Sequence, residues 1–373
     1  LIGGLVVALL MAGALVVLLP NGAAKPASAS ADETALPPGE TTTLVVIGSP
    51  GSPAVGAALL GVGDQSSLMT LPMHLVTAVP DQGTEPLGQA FTSADLRPGE
   101  AAVEDMLGIR VDNGIKLTPE AFAWLIDRVG GVTVDVDAAV RSGNDFLALP
   151  GNGEHLRGAT ASAYAGMLVG SEHEAMRLAR LSKVLVAVAN RLPATAGANV
   201  RLLGEIGAGV ATDSSFNGSA QSFAAAGVAT RGGSLWQGML PVRPLGSGEY
   251  EYGVDQTGAA TTVQQHFADA RDPADPGAPS VYVVNGVGIN DGRVLAVRDR
   301  LRAEGLSYNG FRNATQLGQR TSRVLIPDGT ADDIAAGQRV ARALWLPQSS
   351  VAVDPLGQRL ADVMVVVGSD WHS

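Results

Sequence analysis

The sequence predicts an α/β protein in two folded parts, carried behind an apolar N-terminal segment. Three observations predict it. Leu1 to Leu19 is an uncharged apolar run. Between Thr118 and Val136 an amphipathic helix pattern is followed by a glycine pair and an alternating strand. A fresh strand and helix pattern begins beyond the turn-forming cluster Asp272-Pro-Ala-Asp-Pro-Gly-Ala-Pro279.

The elements follow in order. Leu1–Leu19 ends at Pro20, and as a helix it would span about 29 Å, the thickness of a hydrocarbon core. A transmembrane anchor is therefore expected over residues 1–20; the h-region of a signal peptide cleaved near Ala27-Ser28-Ala29 is the alternative. Residues 21–40 are rich in Ala, Ser, Pro and Gly and read as a flexible stalk. Thr43 to Ile47 and Ser67 to Leu71 read as short buried strands. Thr118 supplies an N-cap and Pro119 suits the first helical position. Phe122, Leu125, Ile126 and Val129 recur at helical spacing until Gly130-Gly131 stops the helix. Val132 to Val136 alternates as a strand. A second long helix is expected from Ser171 to Leu192, closed by Pro193. Residues 194–270 are Gly- and Ala-rich with weak periodicity; Phe223–Val228 and Trp236–Pro241 read as locally ordered within the first domain, 41–272. After a linker at 273–279, residues 280–373 read as a small α/β domain. Its expected strands are Val281–Val284, Ser322–Ile326, Val351–Val353 and Val363–Val367, and its helices Arg293–Glu304 and Ala331–Trp345.

Composition excludes several function classes. There is no cysteine, hence no disulfide framework, thiolate nucleophile or thiolate metal site. The net charge is −11 and only three lysines occur, Lys25, Lys116 and Lys183, which argues against a nucleic-acid partner. The mean hydropathy of +0.19 agrees with a membrane segment. Gly286-Val-Gly288 with Gly292 imitates a dinucleotide fingerprint but has the wrong spacing and lacks the acidic residue that would bind ribose. Glu172-His173-Glu174 lacks the spacing that puts two histidines on one helical face for zinc.

The runs Leu107-Gly-Ile-Arg-Val-Asp-Asn-Gly-Ile-Lys-Leu117 and Leu125-Ile-Asp-Arg-Val-Gly-Gly-Val-Thr-Val134 resemble the central signature of the LytR-CpsA-Psr (LCP) family. Gly153-Glu-His-Leu-Arg-Gly158, Ala163-Tyr164 and Arg177-Leu-Ala-Arg180 follow in the order of that family's later motifs. Val283-Val-Asn-Gly286 and Val365-Val-Val-Gly-Ser-Asp370 are similar to the LytR C-terminal domain. The resemblance implies an LCP-like mixed α/β domain with a central sheet and a LytR_C-like domain. It also implies single-pass attachment to the cell membrane of a walled bacterium, with the bulk of the chain extracytoplasmic. Family members transfer glycopolymers from polyprenyl-pyrophosphate carriers to peptidoglycan, using Arg and Asp side chains and Mg²⁺ around the pyrophosphate.

The chain departs from that pattern. Thr41-Thr42-Thr43 stands where the family has an Asp, Pro72-Met73-His74 where it has Pro-Arg-Asp, and Ala165-Gly166-Met167-Leu168 where it carries arginines. Thr41, Met73, His74 and Gly166 are thus the degenerate positions. Arg177 and Arg180 are retained as candidate pyrophosphate ligands, i and i+3 on one helix and able to share a face. Glu172 and Glu174 are the candidate replacement carboxylates. Two readings follow. The first is a non-catalytic or weakly active envelope protein that binds polyprenyl-linked carrier, wall glycopolymer or an active paralogue and needs no cofactor. The second is an active phosphotransferase, for which Mg²⁺ would be required. Deleting one charged transition-state contact typically removes 10²–10³ in rate, which favours the first.

Overall fold

The computed structural model describes residues 41–142, 144–213, 216–246, 251–271, 277–355 and 360–372. The expected membrane segment at 1–20, the stalk at 21–40 and the first part of the 273–279 linker lie outside them. Among the described residues no helix is long and apolar enough to cross a membrane.

A six-stranded sheet forms the first half. Its strands are β1 (Thr41–Ile47), β2 (Gly56–Val62), β3 (Ser66–Leu71), β4 (Asn113–Leu117), β5 (Val210–Thr212) and β6 (Leu235–Met239), in the order β5-β4-β1-β2-β3-β6. β1, β2 and β3 form an antiparallel meander, while β4 runs parallel to β1 and β6 parallel to β3. Every residue of β1 to β4 is buried, because helices cover both faces of the sheet. The helices of this half are α1 (Arg97–Leu107), α2 (Pro119–Arg128), α3 (Gly158–Gly166), α4 (Glu174–Arg191), α5 (Ala196–Gly204), α6 (Phe216–Arg231) and α7 (Gln256–His266). On one face Val45, Ile47, Leu60 and Ile115 pack against Phe122 and Leu125 of α2, Leu181 and Val184 of α4 and Phe223 of α6. On the other, Leu44, Val46, Leu59 and Met69 pack against Val103 of α1 and Val263 of α7.

Local chemistry explains the best-defined helix. The Thr118 hydroxyl accepts a hydrogen bond from the Ala121 amide at 3.1 Å, the N-cap contact, and Pro119 occupies a position that needs no amide donor. Gly130 and Gly131 then adopt φ of +89° and +81°, where any side chain would be strained. The strand that follows, Val132–Val136, alternates buried and exposed residues as its sequence predicts. It pairs with Gly151–Leu156 as a separate two-stranded ribbon.

The C-terminal residues build a second sheet from β7 (Ser280–Asn285), β8 (Ser307–Asn313), β9 (Arg323–Ile326), β10 (Val351–Val353) and β11 (Val363–Val367), ordered β8-β7-β11-β9-β10. Helices α8 (Arg293–Ala303) and α9 (Ala331–Ala343) bury Val294, Val297, Leu301 and Val340 against one face. Both sheets belong to one compact unit. They meet at α1 and α8, where the guanidinium of Arg298, 1% exposed, pairs with Glu104 at 2.7 Å and Asp105 at 2.6 Å.

Candidate functional site

The sheet strands converge with the N-terminal end of α4 at the edge where β1 ends and β3 leads into Pro72-Met73-His74. Glu174 is the first residue of α4, and its carboxylate, 5% exposed, captures that turn. Its Oε1 accepts the Met73 amide at 2.7 Å; its Oε2 accepts the His74 amide at 3.3 Å and lies 3.2 Å from His74 Nδ1. A carboxylate in the first turn of a helix is also favoured by the helix dipole. Arg177, one turn on, donates from Nη2 to the same Glu174 Oε1. Its Nε is buried and has no partner among the described residues. This guanidinium therefore retains donor capacity beside an otherwise satisfied carboxylate.

Arg180 points elsewhere. Its Nε lies 3.1 Å from both Asp137 oxygens; Nη2 reaches Asp137 Oδ2 and Glu172 Oε1, each at 2.8 Å. Nη1 donates to Glu172 Oε2 at 2.7 Å and to the Met167 carbonyl at 3.4 Å. These partners engage all three guanidinium nitrogens, and the side chain is 1% exposed. The Tyr164 hydroxyl donates to the same Asp137 carboxylate. Hydrogen bonds from Arg180 hold the Asp137 and Glu172 carboxyls below their ordinary range. Burial, with the Asp137 contact second, pushes the Tyr164 phenol up to about 12. Arg180, its charge more than balanced by its two carboxylates, is thus a clamp between α4 and the segment after Val132–Val136.

Of the positions singled out from sequence, the structure brings Met73, His74, Glu174 and Arg177 together, and Glu172 with Arg180. Arg177 and Arg180, expected to share a face toward one anion, instead engage different carboxylates. Thr41 lies at the far end of β1: it pairs with Val62, whereas Ile47 at the site end pairs with Gly56. Six residues of strand put about 20 Å between those ends. Thr42 and Thr43 are spent on buried contacts to Arg110 and Asp112 and to Ser222. Gly166 ends α3 and lines a cleft of about 440 Å³. That cleft is bounded mainly by apolar groups, among them Ile47, Phe122, Ala163, Met167 and Leu181, with Glu120 and Ser162 as its polar side chains. Gly56 lets the Leu181 side chain pack closely on β2, since a Cβ there would come 2.7 Å from Leu181 Cδ2. Behind Phe122, a second, wholly apolar cavity of about 50 Å³ lies between the sheet and α2, α4 and α6.

Asp137 is the site residue that sequence reasoning missed. It follows the alternating strand by one residue and sits 43 residues from Arg180, so no helical or strand period links them. Among the described residues no three His, Asp or Glu side chains gather as metal ligands.

The sequence model of the LytR_cpsA_psr family matches residues 65–266, more than half of the chain. The chain belongs to that family. Among solved structures, B. subtilis TagV shares 16% identity over 62% of this chain and 99% of its own, with a TM-score of 0.51. An LCP enzyme from Actinomyces oris shares 19% identity over 61% of this chain and 89% of its own, at 0.50. TagT bound to LI-WTA shares 16% over 62% and 91%, also at 0.50. At these identities the likeness is one of fold: the central sheet and its flanking helices are those of LCP proteins. No curated protein matches the chain.

Proposed function

We propose that this chain is a cell-envelope LCP protein that binds a polyprenyl-linked wall glycopolymer through its pyrophosphate and apolar chain, with little or no transferase activity. The observation that carries the reading is the contrast between the two arginines. Arg177 keeps a buried, unused Nε for an anion, while Arg180 is tied up by Asp137, Glu172 and the Met167 carbonyl. A site with one available guanidinium is suited to holding a diphosphate. It is poorly suited to stabilising the charge that develops on a leaving phosphate, which needs several fixed donors. The apolar cleft at Gly166 and Met167 suits the first isoprene units of the carrier. The ligand class comes from TagT, whose structure was solved with LI-WTA. The apolar run at 1–20 would anchor the protein in the cell membrane with the bulk of the chain outside, and residues 280–373 read as a LytR_C-like domain. Peptidoglycan and an active paralogue are the further partners in this reading.

One observation favours a second reading, an active phosphotransferase. Glu174 sits within hydrogen-bonding distance of His74 and beside Arg177, a carboxylate, a titratable ring and a cation in one place.

Calorimetric titration of a short polyprenyl pyrophosphate into the protein, with and without Mg²⁺, separates the readings. The binding reading expects Mg²⁺-independent affinity that falls at least tenfold in Arg177→Ala. Affinity that requires Mg²⁺, together with release of polyprenyl monophosphate as a glycopolymer phosphodiester forms on the acceptor in a transfer assay, would establish the second. Equal binding by wild type and Arg177→Ala would remove the anion site altogether.

A further inference from the structure

Three elements near the apolar cleft turn large apolar side chains toward solvent. The first is a hairpin, Val140–Ser142 against Asp145–Ala148, that follows Asp137. Its run Phe146-Leu-Ala-Leu149 reverses the arrangement expected of a ribbon facing water. Ala148, the smallest of the four, packs against the core, while Phe146, Leu147 and Leu149 are 53%, 41% and 61% exposed. A shift of register accompanies this: Val140 pairs with Ala148 but Arg141 with Phe146, so Leu147 is an extra residue. A bulge of this kind re-aims side chains that would otherwise alternate.

The second element is the turn after α3. Met167 lines the cleft, and the next two residues, Leu168 and Val169, are each 42% exposed. The turn is held in place: the Glu172 carboxylate accepts the Val169 amide at 3.0 Å, the Glu172 amide donates to the Val169 carbonyl at 3.1 Å, and Gly170 supplies a φ of +60°. The third is the first turn of α4, where Met176 is 43% exposed. Among the described residues, six of the fifteen exposed large apolar side chains therefore lie between Phe146 and Met176, a concentration rather than a scatter. Arg180 ties hairpin and turn together. It holds Asp137, at the base of the hairpin, and the Met167 carbonyl and Glu172, at either end of the turn.

We propose that the hairpin and the turn dip into the surface of a lipid bilayer and seat the cleft on it. Three observations favour a bilayer over a protein partner. The hairpin charges, Arg141 and Asp145, are opposite in sign, and Glu172 is paired with Arg180, so the patch presents little charge pattern for a protein to read. The Arg141 guanidinium lies 3.8 Å above the Phe146 ring, an arrangement that lets a ring sit below the headgroups while the cation reaches up to them. The apolar run Leu1–Leu19 ends 21 residues before β1, and that length of chain reaches at most about 75 Å, so a membrane holding the run is within reach of the hairpin. The inference rests on the functional reading above in one respect: an isoprenoid carrier would pass from the bilayer into the cleft without crossing water.

The chain has no cysteine, so a single introduced one reports from one place. The full chain is reconstituted into phosphatidylcholine vesicles with an environment-sensitive fluorophore on Leu147→Cys, on Leu168→Cys or, as a control, on Val228→Cys, an exposed position of α6. Lipids carrying a doxyl quencher in the upper acyl chain are expected to quench the first two at least threefold more than the control. Insertion driven by apolar area rather than charge should survive 1 M salt and gain little from anionic phosphatidylglycerol. Adding Phe146→Ser/Leu149→Ser to the Leu147→Cys protein should lower its quenching to the control level. These are surface positions, so an unchanged melting midpoint confirms folding. Quenching at Leu147→Cys and Leu168→Cys no greater than at the control, quenching that needs anionic lipid or vanishes in salt, or full quenching in the serine variant would each overturn the proposal. A label shielded from aqueous iodide yet untouched by the lipid quencher would also overturn it, in favour of a protein partner. Failure of carrier binding leaves it standing, because the vesicles contain no carrier.

Discussion

The carboxylate of Asp81 accepts the backbone amide of Val294 at 2.9 Å, and that of Leu295 at 3.0 Å, across a gap of more than 200 residues. It thereby caps α8 from outside. The turn carrying Asp81 also accepts, through its own carbonyl, the Asn290 amide at 2.7 Å. The strand, glycine turn and helix around Gly286-Val-Gly288 imitate a dinucleotide site in sequence. At the helix N-terminus, where the pyrophosphate of a dinucleotide would sit, this protein places its own carboxylate.

Asp81→Ala should therefore destabilise the contact between the two sheets, by about 1–2 kcal/mol from the cap alone. Asp81→Asn, which keeps an acceptor, should lose less. Urea denaturation followed by tryptophan fluorescence checks this, and an alanine variant with the wild-type midpoint would show that the cap is energetically idle.

Arg180 is the second test of a buried contact. Removing its side chain leaves Asp137 and Glu172 without their counter-ion, and breaking a buried pair typically costs about 3–5 kcal/mol. Both carboxylates are partly exposed, so Arg180→Ala is expected at the lower end, about 3 kcal/mol. Arg180→Lys should recover only part, since an ammonium cannot span two carboxylates in a fork. The Asp137 carboxyl is held below its ordinary value of about 3.9. Its contribution is present above that value and lost as pH falls through the depressed one, so wild type but not Arg180→Ala should show this acid-dependent loss. Melting curves between pH 7 and the acid limit decide it.

How much of this was legible in the sequence depends on contrast. α2 announces itself through Thr118, Pro119 and a clean apolar stripe, and the C-terminal strands and helices do so through valine-rich runs. α6 does not: it buries Ser219, Ala220, Ser222, Ala226 and Gly227, residues too small and too mixed to mark a face. β2, read Gly-Ala-Ala-Leu-Leu-Gly-Val, is buried on both sides and so lacks alternation. At the site, the proximity of Glu174 and Arg177 was readable as a helical spacing. Their meeting with His74, and that of Arg180 with Asp137, depends on chain crossings that no local period encodes.

Gly158 tests the packing of α3 on α2. A Cβ at this position would lie 1.9 Å from the Ala123 carbonyl oxygen, which is backbone and cannot swing aside. The Gly158 amide also donates to Asp127 at 2.9 Å. Gly158→Ala should cost about 1–3 kcal/mol through overpacking, despite alanine's better helix propensity. A denaturation midpoint equal to or above that of wild type would contradict the close approach.

Glu100 gives the clearest pH signature. It is fully buried on α1, its Oε1 has no partner, and a Cβ on Gly114 would lie 1.8 Å from that oxygen, so the carboxyl fills a space only glycine leaves. Burial first, and the charge of Asp213 second, push it up to about 8 against the opposing effect of Arg97. The folded state therefore keeps this proton while the unfolded chain releases it near pH 4.3. Stability must fall as pH rises from about 4.3 to about 8, then level off once both states are ionised. Glu100→Gln keeps the shape and removes the titration, so it should flatten that slope and exceed wild type by about 2 kcal/mol or more at pH 9. Denaturant midpoints measured from pH 5 to pH 9 would reveal it; parallel profiles for the two proteins would mean that Glu100 ionises freely in the fold.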